Sequence, residues 1–248
     1  ELELGALGRG RLAGACARVA PYTPTKAVQA GMAPHLAVLE ASLLGPDDRI
    51  VDEATSPGAA RGLAGRAFCP TPRALALLAR AGATPEAHPP AEVLARVNGR
   101  GFCASLGQTL PGAVFAEDLD RALDVLRRPP PLGSTWRVKR AFGMAGRGQR
   151  TVVPGRVGEP ELVVLRAAMA EGGAQIEPQL EILRELSIHG RLQPDGSVEI
   201  GAVVEQTCDP RGQWLASIRA AGVDPEALGA LRAEAARVAR ALGEAGYA

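Results

Sequence analysis

Aromatic side chains are nearly missing from this chain of 248 residues: two Trp, two Tyr and four Phe, 3% of the total. A surface that stacks nucleic-acid bases needs them, and a net charge of +1 supplies no field to hold a polyanionic backbone. Nucleic acid is therefore not an expected partner. No apolar run reaches the roughly 20 residues of a membrane span, and no signal peptide opens the chain, so no membrane partner is expected either. The four cysteines (Cys16, Cys69, Cys103, Cys208) and three histidines (His35, His88, His189) are scattered without Cys-x-x-Cys or His/Cys spacing, which argues against a zinc site and against a disulfide scaffold. Reduced thiols and a cytoplasmic location are the expectation. Lysine is the scarcest charge: Lys26 and Lys139 are the only two among 28 basic residues.

What remains is rich in Ala, Gly, Arg and Leu, so a single arginine says little by itself. The length suffices for one large domain or two to three smaller ones. The chain opens at Glu1 without Met, and Tyr247-Ala248 follows a helix stop. The expectation is a piece of a longer protein.

Along residues 1–97, Ile50-Val51-Asp52-Glu53 reads as a short buried strand. Residues 71–80 read as a helix, with Thr71 as its cap, Pro72 at its first position and Gly82 as its stop. A second helix runs through Val93, Leu94 and Val97, and another covers about 33–44. Strands alternating with helices predict an α/β domain. Residues 115–128 read as an amphipathic helix with Leu119, Ala122, Leu123 and Leu126 on one face. Helix 159–171 ends at Gly172-Gly173, and Gln175–Leu180 forms a strand leading into a connector. Glu185–Leu192, Val198–Gln206 and Trp214–Ile218 then form an antiparallel meander with turns at Pro194-Asp-Gly196 and Asp209-Pro-Arg-Gly212. Asp224-Pro225 caps a last helix with the stripe Leu228, Leu231, Ala235, Val238 and Leu242.

The densest signal is Trp136-Arg-Val-Lys-Arg-Ala-Phe-Gly-Met-Ala-Gly-Arg-Gly-Gln-Arg-Thr-Val-Val153: strand, glycine-rich loop, strand. Glycines let backbone N–H groups approach a phosphate, and a cation on the strand can neutralise it. No Gly-Lys-Ser/Thr opens a helix here, so this is not the helix-linked phosphate loop. Where Arg is the default cation, a lysine at 139 stands out.

Taken with Ile-Glu177-Pro-Gln-Leu180 and Arg-Glu185-Leu-Ser-Ile-His-Gly190, this hairpin makes residues 98–248 resemble the ATP-grasp superfamily. The resemblance implies a fold that is α/β, passing to α+β in the C-terminal part. An N-terminal α/β domain (1–97) precedes a small subdomain with the glycine-loop hairpin (98–180) and a large subdomain of antiparallel sheet and helix (181–248). It implies that Lys139 reaches the α- and β-phosphates of ATP, that Gly146, Arg147 and Gly148 cover them, and that Arg100 is the second phosphate cation, with Arg96 as its competitor. It further implies that Glu177, Gln179 and Leu180 form an adenine-reading hinge, whose side-chain identity matters little at Gln179 and Leu180, and that Glu185 accepts from the ribose hydroxyls.

ATP and Mg2+ are the implied cofactors. The magnesium ligands of the family, an Asp and a Glu-x-Asn pair, are expected beyond residue 248, so no metal ligand is assigned here; Glu205 and Asp209 are not promoted to that role. His189 reads as a strand-face packing residue, Asp52-Glu53 as a turn or cap, and Arg191, Arg211 and Arg219 as solvated. The implied activity is that of a carboxylate–amine ligase acting on a small-molecule acid and an amine; the alternative is a nucleotide-binding or regulatory module without catalysis. Oligomeric state stays open, a homodimer being allowed for.

Overall fold

Alternation along Trp136-Arg-Val-Lys-Arg140 decides how the C-terminal part is layered: Trp136 and Val138 turn one way, Arg137 and Lys139 the other. The computed structural model describes residues 16–19, 45, 47–67, 70–107, 109–143, 148–193, 195–209 and 214–247. It divides the chain into two compact units, Glu1–Ala91 and Glu92–Ala248. The helix expected at 33–44 lies outside the described residues, as do Gly146, Arg147 and Arg211.

In the first unit, strands β1 (Cys16–Val19), β2 (Arg49–Val51), β3 (Ala64–Arg66) and β4 (Thr84–Pro85) form a parallel sheet in the order β2-β1-β3-β4. Parallel neighbours need long crossovers, and helix α1 (Pro72–Ala81) lies in the one between β3 and β4. Thr71 Oγ1 accepts from the Ala74 N–H at 3.2 Å, and Gly82 closes the helix at φ +78°. Its buried side is Ala74, Leu77, Leu78 and Ala81, of which Leu77, Leu78 and Ala81 pack with Val51, Ala60 and Ala83. Asp52 is not a strand residue as expected. Its carboxylate accepts from the Ala54 N–H at 2.9 Å, and Thr55 Oγ1 accepts from the Asp52 N–H at 2.9 Å, forming a local turn.

The second unit begins with two short helices, α2 (Ala91–Val97) and α3 (Arg100–Ser105). Strands β5 (Val114–Ala116), β6 (Trp136–Arg140), β7 (Gln149–Val152) and β8 (Ala174–Pro178) then form an antiparallel sheet ordered β5-β8-β6-β7. Helices α4 (Leu119–Arg127) and α5 (Glu159–Ala170) supply the apolar partners of one face: Ala122, Val125, Leu126, Leu165 and Ala168 pack on Trp136, Val138, Val152 and Ile176. The helix expected over 115–128 therefore starts only at Leu119. Residues 114–116 pair instead with β8, and Asp118 caps the helix by accepting from the Arg121 N–H at 2.7 Å. Leu126, Leu165 and Ile176 are fully enclosed, each such side chain contributing about 2–3 kcal/mol of burial.

A three-stranded antiparallel sheet, ordered β11-β10-β9, follows: β9 (Glu185–Leu192), β10 (Val198–Cys208) and β11 (Trp214–Arg219). Helix α6 (Pro225–Glu244) packs on β9 and β10. Asp224 Oδ1 accepts from the N–H groups of Glu226 and Ala227 at 2.9 and 3.2 Å, fixing where the helix begins. The chain is thus α/β with a parallel sheet first, and antiparallel sheets with helices after it. Among the described residues no helix is long and apolar enough to cross a membrane.

Candidate functional site

On the face of this sheet turned away from α4 and α5, β6 and β8 carry polar side chains, while Phe115 of β5 lies beneath α3. The register sets Arg137 opposite Glu177 and Lys139 opposite Gln175, so these four side chains share that face. Lys139 Nζ reaches diagonally and pairs with Glu177 Oε1; the two side chains are 19% and 21% exposed. Lys139 is therefore not a solvated strand-end lysine. It is drawn inward by Glu177.

Arg100 stands at the first position of α3 and is held there twice. Its backbone N–H donates to the Ala141 carbonyl at 3.0 Å, and its Nε donates to the Arg140 carbonyl at 3.0 Å. Both acceptors belong to the chain leaving β6, so Arg100 lies at the end of the strand that carries Lys139. No acid pairs with Arg100 among the described residues. Its competitor Arg96 is committed elsewhere, donating to the Ala245 carbonyl at 2.6 Å.

An open cleft of about 450 Å3 lies in this unit, with Asn98, Arg100, Glu177, Glu234, Arg237 and Tyr247 on its walls. The structure thus brings Arg100 and Glu177 to one cleft, with Lys139 joined to it through Glu177. It adds Glu234 and Arg237, which the sequence does not single out. Arg237 Nε donates to Glu234 Oε2 at 2.7 Å and its Nη1 to the Leu106 carbonyl at 2.7 Å. The bond to Arg237 holds the Glu234 carboxyl below its ordinary range, and Glu234 in turn raises the guanidinium. The signal for this pair is its three-residue spacing on the helix, but nothing local says that α6 reaches α3.

The connector after β8 is tightly held. The Gln179 N–H donates to the Thr135 carbonyl at 2.8 Å. Its side chain has a role that the sequence does not disclose: Oε1 accepts from Arg137 Nε at 2.5 Å, and Nε2 donates to the Leu180 carbonyl at 3.2 Å. The Leu180 N–H has no hydrogen-bond partner among the described residues. Opposite, Gly133 adopts φ +69°, and a Cβ there would sit 2.5 Å from the Gln179 carbonyl oxygen.

Glu185 opens β9, half-buried and paired in register with Gln206. Its carboxylate accepts from the Cys208 thiol, and that bond, with burial, pushes Cys208 up to about 11. Gly148 opens the second arm of the glycine hairpin at φ +74°, where a Cβ would come within 3.1 Å of Arg140 Cδ. Gln179, Leu180, Glu185 and Gly148 are not among the residues lining the cleft. Glu205 is bound by Arg184, Nη2 to Oε2 at 2.7 Å, which lowers the Glu205 carboxyl. Among the described residues no group of three or more His, Cys, Asp and Glu side chains converges as metal ligands.

Sequence comparison matches the chain to no family model and to no curated protein. Comparison of structures does find likenesses. N5-carboxyaminoimidazole ribonucleotide synthetase from Thermus thermophilus superposes with a TM-score of 0.56 at 22% identity, over 98% of this chain and 61% of that one. D-alanyl-alanine synthetase A from Vibrio cholerae gives 0.59 at 11% identity, over 92% and 80%. The biotin carboxylase domain of Hydrogenobacter thermophilus 2-oxoglutarate carboxylase, in complex with MgADP, ADP and bicarbonate, gives 0.54 at 16% identity, over 73% and 42%. These are ATP-grasp enzymes, and this chain has the ATP-grasp fold. It spans 61% of the length of the Thermus enzyme.

Proposed function

We propose that the chain is the nucleotide-holding part of an ATP-dependent ligase. Such an enzyme activates a small carboxylate as its acyl phosphate, which an amine or similar nucleophile then attacks. The observation that carries the reading is the polar sheet face: Lys139 paired with Glu177, next to a cleft walled by Glu177 and Arg100. Three solved structures with this fold are a ribonucleotide synthetase, an alanyl-alanine synthetase and a biotin carboxylase domain.

The roles follow from the chemistry of each group. Lys139, a compact charge on a flexible stem, exchanges Glu177 for the α- and β-phosphates of ATP. Arg100 supplies the second cation; its Nε is spent on Arg140, which leaves its terminal N–H groups to a phosphate oxygen. Arg237 is the poorer candidate, because Glu234 and the Leu106 carbonyl already hold it. Gly146, Arg147 and Gly148 cover the phosphates. Glu177, Gln179 and Leu180 form the hinge, where the Leu180 N–H is the donor for the ring nitrogen on adenine's pairing edge. Glu185 accepts from the ribose hydroxyls, giving up its bond to Cys208.

In the reaction the acid's carboxylate oxygen takes the γ-phosphoryl group and ADP leaves; the amine nitrogen then bonds to the acyl carbon and phosphate leaves. The protein's part is positioning and charge neutralisation, with no covalent residue. No step is assigned to magnesium on the residues described.

Calorimetric titration with a non-hydrolysable ATP analogue tests the reading. Micromolar binding, about −8 kcal/mol, is expected from the parent, with losses in Lys139→Ala and Glu185→Ala. Phosphate release by the full-length protein that needs both an acid and an amine establishes the ligase. A folded full-length protein that binds no nucleotide refutes it.

A further inference from the structure

Between the phosphate cation and the hinge stands a residue that the reading above does not use. Arg137 lies on the same strand and the same face as Lys139, two positions nearer the start of β6, about 7 Å away. The two ends of that strand differ. The Lys139 end faces Gln149, the residue after Gly148, whereas the Arg137 end faces Thr151 and is bound to Gln179. A nucleotide whose phosphates reach Lys139 and whose base reaches the hinge therefore passes over Arg137.

Arg137 is half-buried, and no acid pairs with it among the described residues; its bond goes to a neutral amide, Gln179 Oε1, at 2.5 Å. That bond enters through Nε, in the plane of the guanidinium, so it holds the group without covering either flat face. The same amide donates from Nε2 to the Leu180 carbonyl, while the Gln179 N–H is anchored on Thr135. One side chain thus couples a planar cation to the backbone of the hinge. A planar, weakly hydrated cation is the group that stacks on an aromatic ring, and this chain, poor in aromatics, shows no aromatic side chain in the register positions beside it.

We propose that Arg137 is a base-binding residue: its guanidinium is the platform on which the purine ring of the nucleotide lies, and Gln179 is the positioning residue that holds the platform flat and level with the hinge. This rests on the nucleotide reading of the site. It differs from a third phosphate contact in a measurable way, because stacking acts on the base and leaves the phosphates alone.

The test uses the full chain with two probes, a non-hydrolysable ATP analogue and inorganic tripolyphosphate. Arg137→Ala is expected to weaken the analogue roughly five- to thirtyfold and to leave tripolyphosphate within about twofold. Arg137→Lys, which keeps the charge and loses the plane, is expected to behave like Arg137→Ala. Lys139→Ala is expected to weaken both probes. Quenching of an etheno-adenine nucleotide on binding, reduced in Arg137→Lys and in Gln179→Leu, reports stacking directly and does not depend on the alanine variant folding well. Equal losses of both probes in Arg137→Ala, recovery in Arg137→Lys, or unchanged affinity for the analogue would each overturn the proposal. A parent that binds tripolyphosphate no more weakly than the analogue overturns it too. A parent that binds neither probe brings down the nucleotide reading itself, which is a separate result.

Discussion

Replacing Gly133 by alanine sets two costs against each other that can be measured apart. At φ +69° the backbone is left-handed, and an L side chain there costs about 1 kcal/mol or somewhat more. In addition the new Cβ would lie 2.5 Å from the Gln179 carbonyl oxygen, well inside any real contact, and the obstacle is backbone, not a side chain that can swing away. Overpacking of that kind costs about 1–3 kcal/mol, so Gly133→Ala is expected to lose about 2–4 kcal/mol. Gly196 supplies the control: φ +81° and nothing within 4 Å of its notional Cβ, so Gly196→Ala bears only the conformational part, about 1 kcal/mol. Both residues lie in the second unit, and so do both tryptophans, Trp136 and Trp214, so urea unfolding followed by Trp emission reports that unit alone. Because the clash is relieved by moving Gln179, Gly133→Ala should also weaken an ATP analogue where Gly196→Ala does not. Losses for the two variants equal to within about 0.5 kcal/mol would refute the requirement for Gly133 by the closeness of the Gln179 carbonyl.

Three further predictions concern single partnerships. Lys139→Met strands Glu177 on a sheet face where it is 21% exposed, and is expected to cost about 1–2 kcal/mol, of which Lys139→Met/Glu177→Gln recovers part; a double-mutant cycle with no coupling counts against the pair. Thr71→Ala removes the cap of α1 and should cost about 1 kcal/mol of stability in the first unit, read by far-UV circular dichroism on thermal unfolding, with Thr71→Ser close to wild type. Cys208, raised to about 11 by its bond to Glu185 and by burial, keeps its proton between pH 9 and 11 while the unfolded chain loses it, so its contribution is present below the ordinary value of 9.0 and fades as pH climbs through 11. Site-resolved alkylation at pH 9 should therefore modify exposed Cys103 faster than Cys208, and Glu185→Gln should narrow the gap; equal rates in the parent contradict the bond.

The helices are the legible part of this sequence, because their ends are written locally. Thr71, Asp118 and Asp224 each cap by a bond to a backbone N–H two or three residues on, and Gly82 and Gly172-Gly173 close two of them at positive φ. Strand Val114–Ala116 is not legible because three residues carry no period, and its Phe115 and Ala116 suit a helix as well. Helix α3 is hidden by Asn98-Gly-Arg-Gly101, which reads as a turn. Gly101 is there for space, since a Cβ would come 3.0 Å from the Phe115 ring. At the candidate site, Lys139 is marked by rarity, but its partner is not, because pairing with Glu177 depends on the sheet register. Nor can the sequence place Arg237 against Leu106, a contact made only when α6 folds back on α3.

The cations at the candidate site are matched to different partners, and this sorts their chemistry. Lys139 is held by a carboxylate, Arg137 by an amide oxygen, Arg100 by a backbone carbonyl. Only the first partner carries a full charge, so an arriving anion meets three cations against one acid. At a few ångströms, and with the screening of a half-buried site, each excess charge attracts it by about 1–4 kcal/mol. The lysine is a compact ammonium with three rotatable donors, which can change partners with less rearrangement than a guanidinium. The arginines are anchored on a backbone carbonyl and an amide oxygen. In an Arg-rich chain, the lysine at this strand position therefore sets a compact, rotatable charge beside anchored ones. Glu177 is thus the partner that holds Lys139 on the sheet face, and it is itself on the cleft wall.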